Sequence, residues 1–392
     1  MAGEGVRIGL NPGEKHSIFN VSASMKDQSA LRFPAPAIGA FLLGLAVLAG
    51  AALDAGASNA ARRSPLRRFE FSLARMGTTF NIVLYHTEEA EASKAAMEAF
   101  ARVERLEAIF SDFREDSENR RLCRLGAGMP SAVSPELFFV LENSLRFSQL
   151  SGGAFDVTIG PLVQVWREAR RAGREPDPGR LAEARKSTGI ENVILDSQQR
   201  TVHLLLPNMR LDFGGIAKGY AADEALRVLK SHGIRIALVD GGGDISIGSA
   251  PPGQAGWRIE VKNGLEAPGE RASLVLHDRG VATSGDSFQF LESGGVRYSH
   301  IVDPASAVAL KNSPGVTVVA RDGMTADALA TALSVTPADQ GMSLVESVDG
   351  ASAAIVTRGE QGAEWQVSRG FPPLVRRHEA PRTAPPGQPA HD

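Results

Sequence analysis

The chain has 392 residues, with 42 lysines and arginines against 45 aspartates and glutamates, a formal net charge of −3 and a single cysteine. No basic face dominates, which argues against a nucleic-acid partner, and Cys123 alone excludes a disulfide framework and any cysteine-built zinc site. HExxH, GxxxxGK[ST] and GxSxG are all missing from the sequence, so zinc-protease, P-loop and α/β-hydrolase readings lose their main support.

The first element is a targeting segment. Ala37–Leu53 (AIGAFLLGLAVLAGAAL) is apolar and uncharged, Lys26 and Arg32 precede it, and Ala55-Gly56-Ala57 has the form of a signal-peptidase site, with Ser58-Asn59-Ala60 as a second candidate. The run is at the lower limit of a membrane span. Residues 1–60 are therefore expected to be a signal peptide or an N-terminal membrane anchor, placing the rest of the chain in the periplasm. Met25 is a candidate start.

The body, 66–371, alternates strand and helix patterns irregularly, so a mixed α/β layer protein is expected rather than a doubly wound sheet. Phe69–Tyr85 reads as strands broken by Met76-Gly77-Thr78. Thr87 is placed to cap a helix reaching Phe110, with Met97, Phe100, Val103, Leu106 and Phe110 on one stripe. Ser134 and Pro135 open a second helix, with Val133 and Phe138 placed as a staple. A helix over Ala217–His232 precedes strands at Ile234–Asp240, Trp257–Lys262, Ala272–His277 and Val316–Ala320. Helices at Thr325–Leu333 and Ala338–Val348 follow, and Ala353–Thr357 with Glu364–Ser368 reads as a closing hairpin. The tail 372–392 is proline-rich and expected to be disordered.

Four glycine- or carboxylate-bearing clusters stand out. In Leu211–Asp223 (LDFGGIAKGYAAD) a strand runs through a glycine turn into a helix N-terminus, a place that presents bare amides and a positive dipole to an anion, with Lys218 as a mobile charge for phosphate. Leu238–Ile245 (LVDGGGDI) leads a strand into three glycines that let backbone approach a ligand, although a tight hairpin explains the same letters. Val281–Asp286 (VATSGD) and Tyr298–Pro304 (YSHIVDP) supply donors and His300, a candidate general base or a structural loop histidine. In Thr325–Ala332 (TADALATA), Asp327 and Thr331 share one helical face. They form a hard-oxygen pair suited to Mg²⁺ or Ca²⁺, or else an acidic residue complementing the dipole beside a packed threonine. Met76-Gly77-Thr78, Ser111–Asn119 (SDFREDSEN) and Gly153–Pro161 (GAFDVTIGP) add aromatic and amide character at turns.

Taken together and in order, MGTTF, SDFREDSE, GAFDVTIGPLV, LDFGGIAKGYAAD, LVDGGGDI, VATSGD, YSHIVDP and TADALATA closely resemble the ApbE family of FAD:protein FMN transferases. The resemblance covers nearly the whole chain after the targeting segment. It implies a T-fold-like α/β (α+β) unit that binds FAD and uses Mg²⁺ to move FMN onto a threonine hydroxyl of a partner redox protein, releasing AMP. The acceptor would carry a Ser/Thr-Gly-Ala-Thr-like sequence. Carried onto this chain, Met76, Phe113, Ala154, Phe155, Asp156, Asp212, Lys218 and Ile301 match flavin-nucleotide contacts. Gly215, Asp327 and Thr331 match the metal ligands, Gly215 through its carbonyl. Asp327 is also counted with His300 in the catalytic pair, and His300 matches a histidine proposed to assist proton removal from the incoming threonine.

The chain departs from the pattern at Cys123 and Asp240, where asparagine is common, and at Asp303-Pro304-Ala305-Ser306-Ala307, where the family has DPRTG. The last change puts the geometry of the loop near His300 in doubt. Splitting a pyrophosphate needs charge neutralisation and an activated nucleophile, which hard ligands, Lys218 and a base such as His300 would supply. Alternatives are an FAD pyrophosphatase giving FMN and AMP, and a non-catalytic flavin carrier. The carrier has no need of a metal-ligand pair.

Overall fold

The computed structural model describes residues 6–8, 65–261, 270–284, 290–311, 313–359 and 362–378. The apolar run 37–53, both candidate cleavage sites and the segment after 378 lie outside the described residues. Among the described residues no helix is long and apolar enough to cross a membrane.

A nine-stranded sheet runs in the spatial order Val6–Ile8, Arg67–Arg75, Thr78–His86, Ala237–Asp240, Asp244–Ile247, Arg279–Ser284, Gly315–Ala320, Ser352–Gly359, Gly362–Val367. Every pairing is antiparallel except that of Val6–Ile8 with Arg67–Arg75. Side chains alternate across the pleat into two cores. Ala282, Val316, Val318 and Ala320 enter the larger one, and Val281 and Val319 the smaller.

Both faces are thus covered, which is why Gly315–Ala320 is buried at every position. Helices Glu89–Phe110, Ala217–Ser231 and Gly323–Val335 lie over the large core. A small sheet of Trp257–Val261, Glu270–Leu276 and Val375–His378 covers the other face through Trp257, Ile259 and Leu274. A third cluster joins helix Gly160–Ala172, through Leu162 and Trp166, to Tyr298 and Val302 of the sheet Phe290–Ser293, Val296–Val302, Ala309–Lys311.

This is the mixed α/β architecture expected, with four local corrections. Thr87 does not cap the first long helix; the cap position is Glu88, which makes no side-chain cap bond, and its N–H goes to His86 Nδ1 at 3.0 Å. Met97 is 51% exposed rather than on the buried stripe, where Ala92, Ala95, Ala96 and Ala99 sit instead. Helix Gly160–Ala172 stands where the sequence suggests only a turn; Leu162, Val165, Trp166 and Ala169 form its buried face and Gly173 caps it with φ 64°. Val375–His378, assigned to the disordered tail, pairs antiparallel with Glu270–Leu276. The second helix begins as expected, with the Ser134 hydroxyl accepting the Leu137 N–H at 3.2 Å.

Candidate active site

Helix Ala217–Ser231, which carries Lys218, crosses helix Gly323–Val335, which carries Asp327 and Thr331. The crossing is close because both helices present a glycine. A Cβ on Gly219 would stand 2.2 Å from the Gly323 carbonyl oxygen. The expected ligands are brought together here. The Thr331 hydroxyl lies 3.5 Å from the Gly215 carbonyl, too long for a strong hydrogen bond. A Cβ on Gly215 would meet that hydroxyl at 2.5 Å. Asp327, 4% exposed, accepts the Gly219 N–H at 3.1 Å.

Burial first, and then the neighbouring Asp244 carboxylate, push Asp327 up to about 8, against the pull of Lys218 and the Gly219 amide. Two buried carboxylates sharing one lysine leave a site short of positive charge. A carboxylate, a hydroxyl and a backbone carbonyl are the oxygen donors that Mg²⁺ takes, so the residues present fit that ion. Among the described residues, no cluster of three or more histidine, cysteine or acidic side chains offers a rival metal site.

The LVDGGGDI motif gives no hint of the role of Asp244. Its carboxylate pairs with the Lys218 ammonium and is itself buried. Burial opposes the lysine charge, but Asp244, Asp327 and Asp240 outweigh it and raise the ammonium above its ordinary value. The Lys218 side chain keeps 29% exposure, so solvent tempers this pairing and leaves the ammonium reachable.

The glycine run is more closed than a cradle of bare amides. Asp240 Oδ1 accepts the N–H groups of Gly242 and Gly243 at 2.9 and 2.8 Å. The Met76-Gly77-Thr78 turn packs onto it, since a Cβ on Gly242 would stand 2.2 Å from Thr78 Oγ1. Met76 itself sits at φ 51° and donates its N–H to Glu107 at 2.8 Å.

Of the aromatic candidates, Phe113 is 70% exposed, with the Arg167 guanidinium 4.3 Å from its ring centroid. Arg167 also donates to Asp212 Oδ2 at 2.8 Å, while Asp212 Oδ1 accepts the Gly214 N–H at 2.8 Å. Phe155 points into the core against Phe147. Asp156 turns back to accept the Thr158 N–H and hydroxyl, both at 2.7 Å, and burial raises its carboxyl despite those bonds. Within the Ala154–Asp156 stretch, then, the Phe155 and Asp156 side chains serve packing and the turn.

His300 is exposed on strand Val296–Val302, which packs against the Asp327 helix, and Ile301 beside it is half-buried. The altered loop after it is held by Trp166 Nε1, which donates to the Ala307 carbonyl at 3.0 Å. Thr283 and Ser284 end strand Arg279–Ser284, and Gly285 and Asp286 lie outside the described residues. Cys123 is buried beneath the LDFGG segment, where its sulfur accepts the Leu211 N–H at 3.4 Å and burial pushes the thiol up. It packs there and is not a reactive thiol.

An open concavity of about 460 Å³ on helix Glu118–Leu125, lined by Arg121, Leu122 and Leu125, shares no residue with this constellation.

A mixed α/β layer protein in which a lysine, two buried carboxylates, a hydroxyl and a carbonyl oxygen converge beside two crossing helices, Asp244 from a neighbouring strand, has the make-up of an enzyme acting on a phosphate-containing ligand. The ApbE family profile matches residues 76–356. A protein named FAD:protein FMN transferase from Vibrio cholerae is 31% identical over 316 residues, covering 79% of this chain and 94% of that one. A protein of the same name from Treponema pallidum is 30% identical, covering 77% and 88%. The solved structure of flavin transferase ApbE from Vibrio cholerae superposes with a TM-score of 0.70 at 30% identity, covering 78% of this chain and 99% of that one. The ApbE protein of Thermotoga maritima gives 0.68 at 30% identity, covering 77% and 97%. This chain belongs to the ApbE family of flavin-transferring enzymes.

Proposed function

We propose that this protein transfers the FMN half of FAD onto a threonine hydroxyl of a partner redox protein and releases AMP. The observation that carries the reading is the convergence of Lys218, Asp244, Asp327, Thr331 and the Gly215 carbonyl at one helix crossing. Relatives that share the family are named FAD:protein FMN transferase, which supports FAD as donor and a protein as acceptor.

Lys218 binds the pyrophosphate, with Asp244 holding its ammonium in place. Asp327, Thr331 and the Gly215 carbonyl would hold Mg²⁺. When bound, that ion supplies charge neutralisation at the pyrophosphate oxygens. The acceptor threonine oxygen forms a bond to the phosphorus of the FMN half, the bond from that phosphorus to AMP breaks, and the hydroxyl proton passes to a base. A hydroxyl is a poor nucleophile at its ordinary pKa. His300, exposed on the strand beside the Asp327 helix, is the residue we assign to that proton.

The acceptor carries a Ser/Thr-Gly-Ala-Thr-like sequence, and the enzyme works in the periplasm, exported or anchored by residues 1–60. The apolar run Ala37–Leu53 and the A-x-A site after it support that placement.

The test is to incubate the purified protein with FAD, Mg²⁺ and an acceptor domain bearing the threonine motif, following AMP release and acceptor mass. An acceptor that gains one FMN only when Mg²⁺ is present is the expected result. Free FMN with an unmodified acceptor would replace transfer by hydrolysis. FAD bound without turnover would leave a carrier.

A further inference from the structure

The Arg167 guanidinium makes three contacts at once. It pairs with Asp112, donates to Asp212 Oδ2 at 2.8 Å, and lies over the Phe113 ring at 4.3 Å from the centroid. Asp112, 8% exposed, is also bound by Arg210 at 3.0 Å, so its charge stays paired without Arg167. The backbone fixes where Arg167 stands. Gly160, near the start of its helix, touches the Arg210 backbone so closely that a Cβ would meet the Arg210 carbonyl oxygen at 2.5 Å. Residue 167 lies two turns further on, facing Asp212, whose own N–H donates to the Val157 carbonyl at 2.8 Å.

The Phe113 ring has one face on this guanidinium and is 70% exposed. A planar guanidinium stacked on a ring, and forked toward carboxylates, holds both in one orientation in a way that a lysine cannot.

We propose that Arg167 is a positioning residue for the flavin ring: it sets the plane of Phe113 and the rotamer of Asp212 as one preorganised face, and does not itself touch the reacting phosphorus. The inference rests on FAD being the ligand and on Phe113 and Asp212 meeting its ring, as the family resemblance implies. It predicts that substitutions at 167 act on the ring half of FAD and spare the adenosine half.

The test compares wild type, Arg167→Lys and Phe113→Ala for binding of FAD, FMN and ADP and for steady-state transfer. For Arg167→Lys the expected result is about a tenfold weaker FMN and FAD affinity, unchanged ADP affinity, and a raised KM for FAD with kcat at saturation kept within about twofold. In the Phe113→Ala background, the Lys substitution should have a smaller effect than in wild type, because the two residues act through one contact. Unchanged FMN affinity in Arg167→Lys would overturn the inference while leaving the functional reading intact. An equal loss of FMN and ADP affinity would also overturn it, showing a merely structural role. Phe113→Ala keeps the question answerable if the arginine variant fails to fold, since removing an exposed ring leaves no cavity. Unchanged FMN affinity in that variant overturns the inference. Wild type that binds no FAD would overturn the inference together with the reading beneath it.

Discussion

Asp223 and Asp327 cap each other's helices. Asp223, on the Lys218 helix, accepts the N–H groups of Gly323 and Met324 at 2.8 and 2.9 Å. Asp327, on the helix those amides begin, accepts the Gly219 N–H at 3.1 Å. Each carboxylate thus satisfies amides that a helix start leaves unpaired, and each fixes the other's helix. The structural and the candidate catalytic aspartate belong to one reciprocal lock.

Removing Asp223 should therefore loosen the site as well as the fold. In Asp223→Ala two buried amides lose their acceptor, while Asp322 still caps the same helix through the Thr325 N–H at 2.8 Å. We expect a loss of about 1–3 kcal/mol in urea unfolding and a fall in turnover larger than the unfolded fraction accounts for. Asp223→Asn keeps one acceptor oxygen for one of the two amides but turns its NH2 donors toward the other, so it should recover only part of both. Wild-type turnover in the alanine variant would show that the lock does not reach Asp327.

Metal binding and pH should be linked through Asp327. Its ordinary value is 3.8 and its folded value is raised to about 8. Between those limits the folded protein without a divalent ion holds a proton that the unfolded chain has released. This group's stabilising contribution is greatest at low pH and declines as pH rises from about 4 to about 8. A cation must displace that proton, so Mg²⁺ affinity should climb by up to about tenfold per pH unit until pH reaches about 8. Thermal melts with and without Mg²⁺ should show an increment that grows from pH 6 to pH 8.5. Asp327→Asn should remove both that increment and turnover while still melting cooperatively. An increment independent of pH would detach Asp327 from the ion.

The pairing of Lys218 with Asp244 separates stability from binding. Lys218→Met leaves Asp244 buried beside Asp327 with no counter-charge. Breaking a fully buried pair costs about 3–5 kcal/mol, but with the Lys218 side chain 29% exposed we expect roughly 1–3 kcal/mol. FAD affinity should fall as well. Adding Asp244→Asn removes the stranded charge, so the double variant should regain most of the stability and none of the FAD affinity. Recovery of binding in the double variant would end the phosphate role of Lys218.

What could be read from the sequence followed from local pattern. Asp327 and Thr331 lie four apart on a helix, and that spacing alone put them on one face. Of the main sheet, the apolar runs at Phe69–Tyr85, Ile234–Asp240 and Val316–Ala320 are legible as strands, whereas Asp244–Ile247 and Arg279–Ser284 are hidden within glycine- and hydroxyl-bearing motifs. What stayed hidden depended on contacts distant in sequence. Asp244 is an ordinary post-glycine aspartate until the Lys218 helix lies over it. Arg167 belongs to a helix whose buried face, Leu162, Val165, Trp166 and Ala169, was visible in principle but masked by the turn signal of Gly160-Pro161. Phe155 is matched to a flavin contact only through the family resemblance, and its burial against Phe147 is the packing that its place beside a turn allows. Val375–His378 reads as tail because a short edge strand carries no signal without its partner, Glu270–Leu276.

Ala307 carries the clearest local strain near the site. It sits at φ 61°, in the left-handed region, within the loop that follows the His300 strand. The loop closes through the Ala307 N–H, which donates to the Asp303 carbonyl at 2.8 Å, and through Trp166 Nε1 on the Ala307 carbonyl at 3.0 Å. Those bonds hold the backbone in a conformation that a Cβ opposes by roughly 1–2 kcal/mol. Glycine there would relieve the opposition but would add about 0.5–1 kcal/mol of unfolded-state entropy. The balance favours Ala307→Gly by up to about 1 kcal/mol, a rise of up to about 2 °C in Tm for a protein of this size. The substitution touches no group assigned to FAD or metal, so FAD affinity should not change, and the bond from Trp166 should survive because it uses the backbone carbonyl. A melt comparison settles the sign. A lower Tm in Ala307→Gly would mean that the Ala307 methyl, buried against Leu162, Trp166 and Val302, contributes more by packing than the left-handed backbone loses by strain.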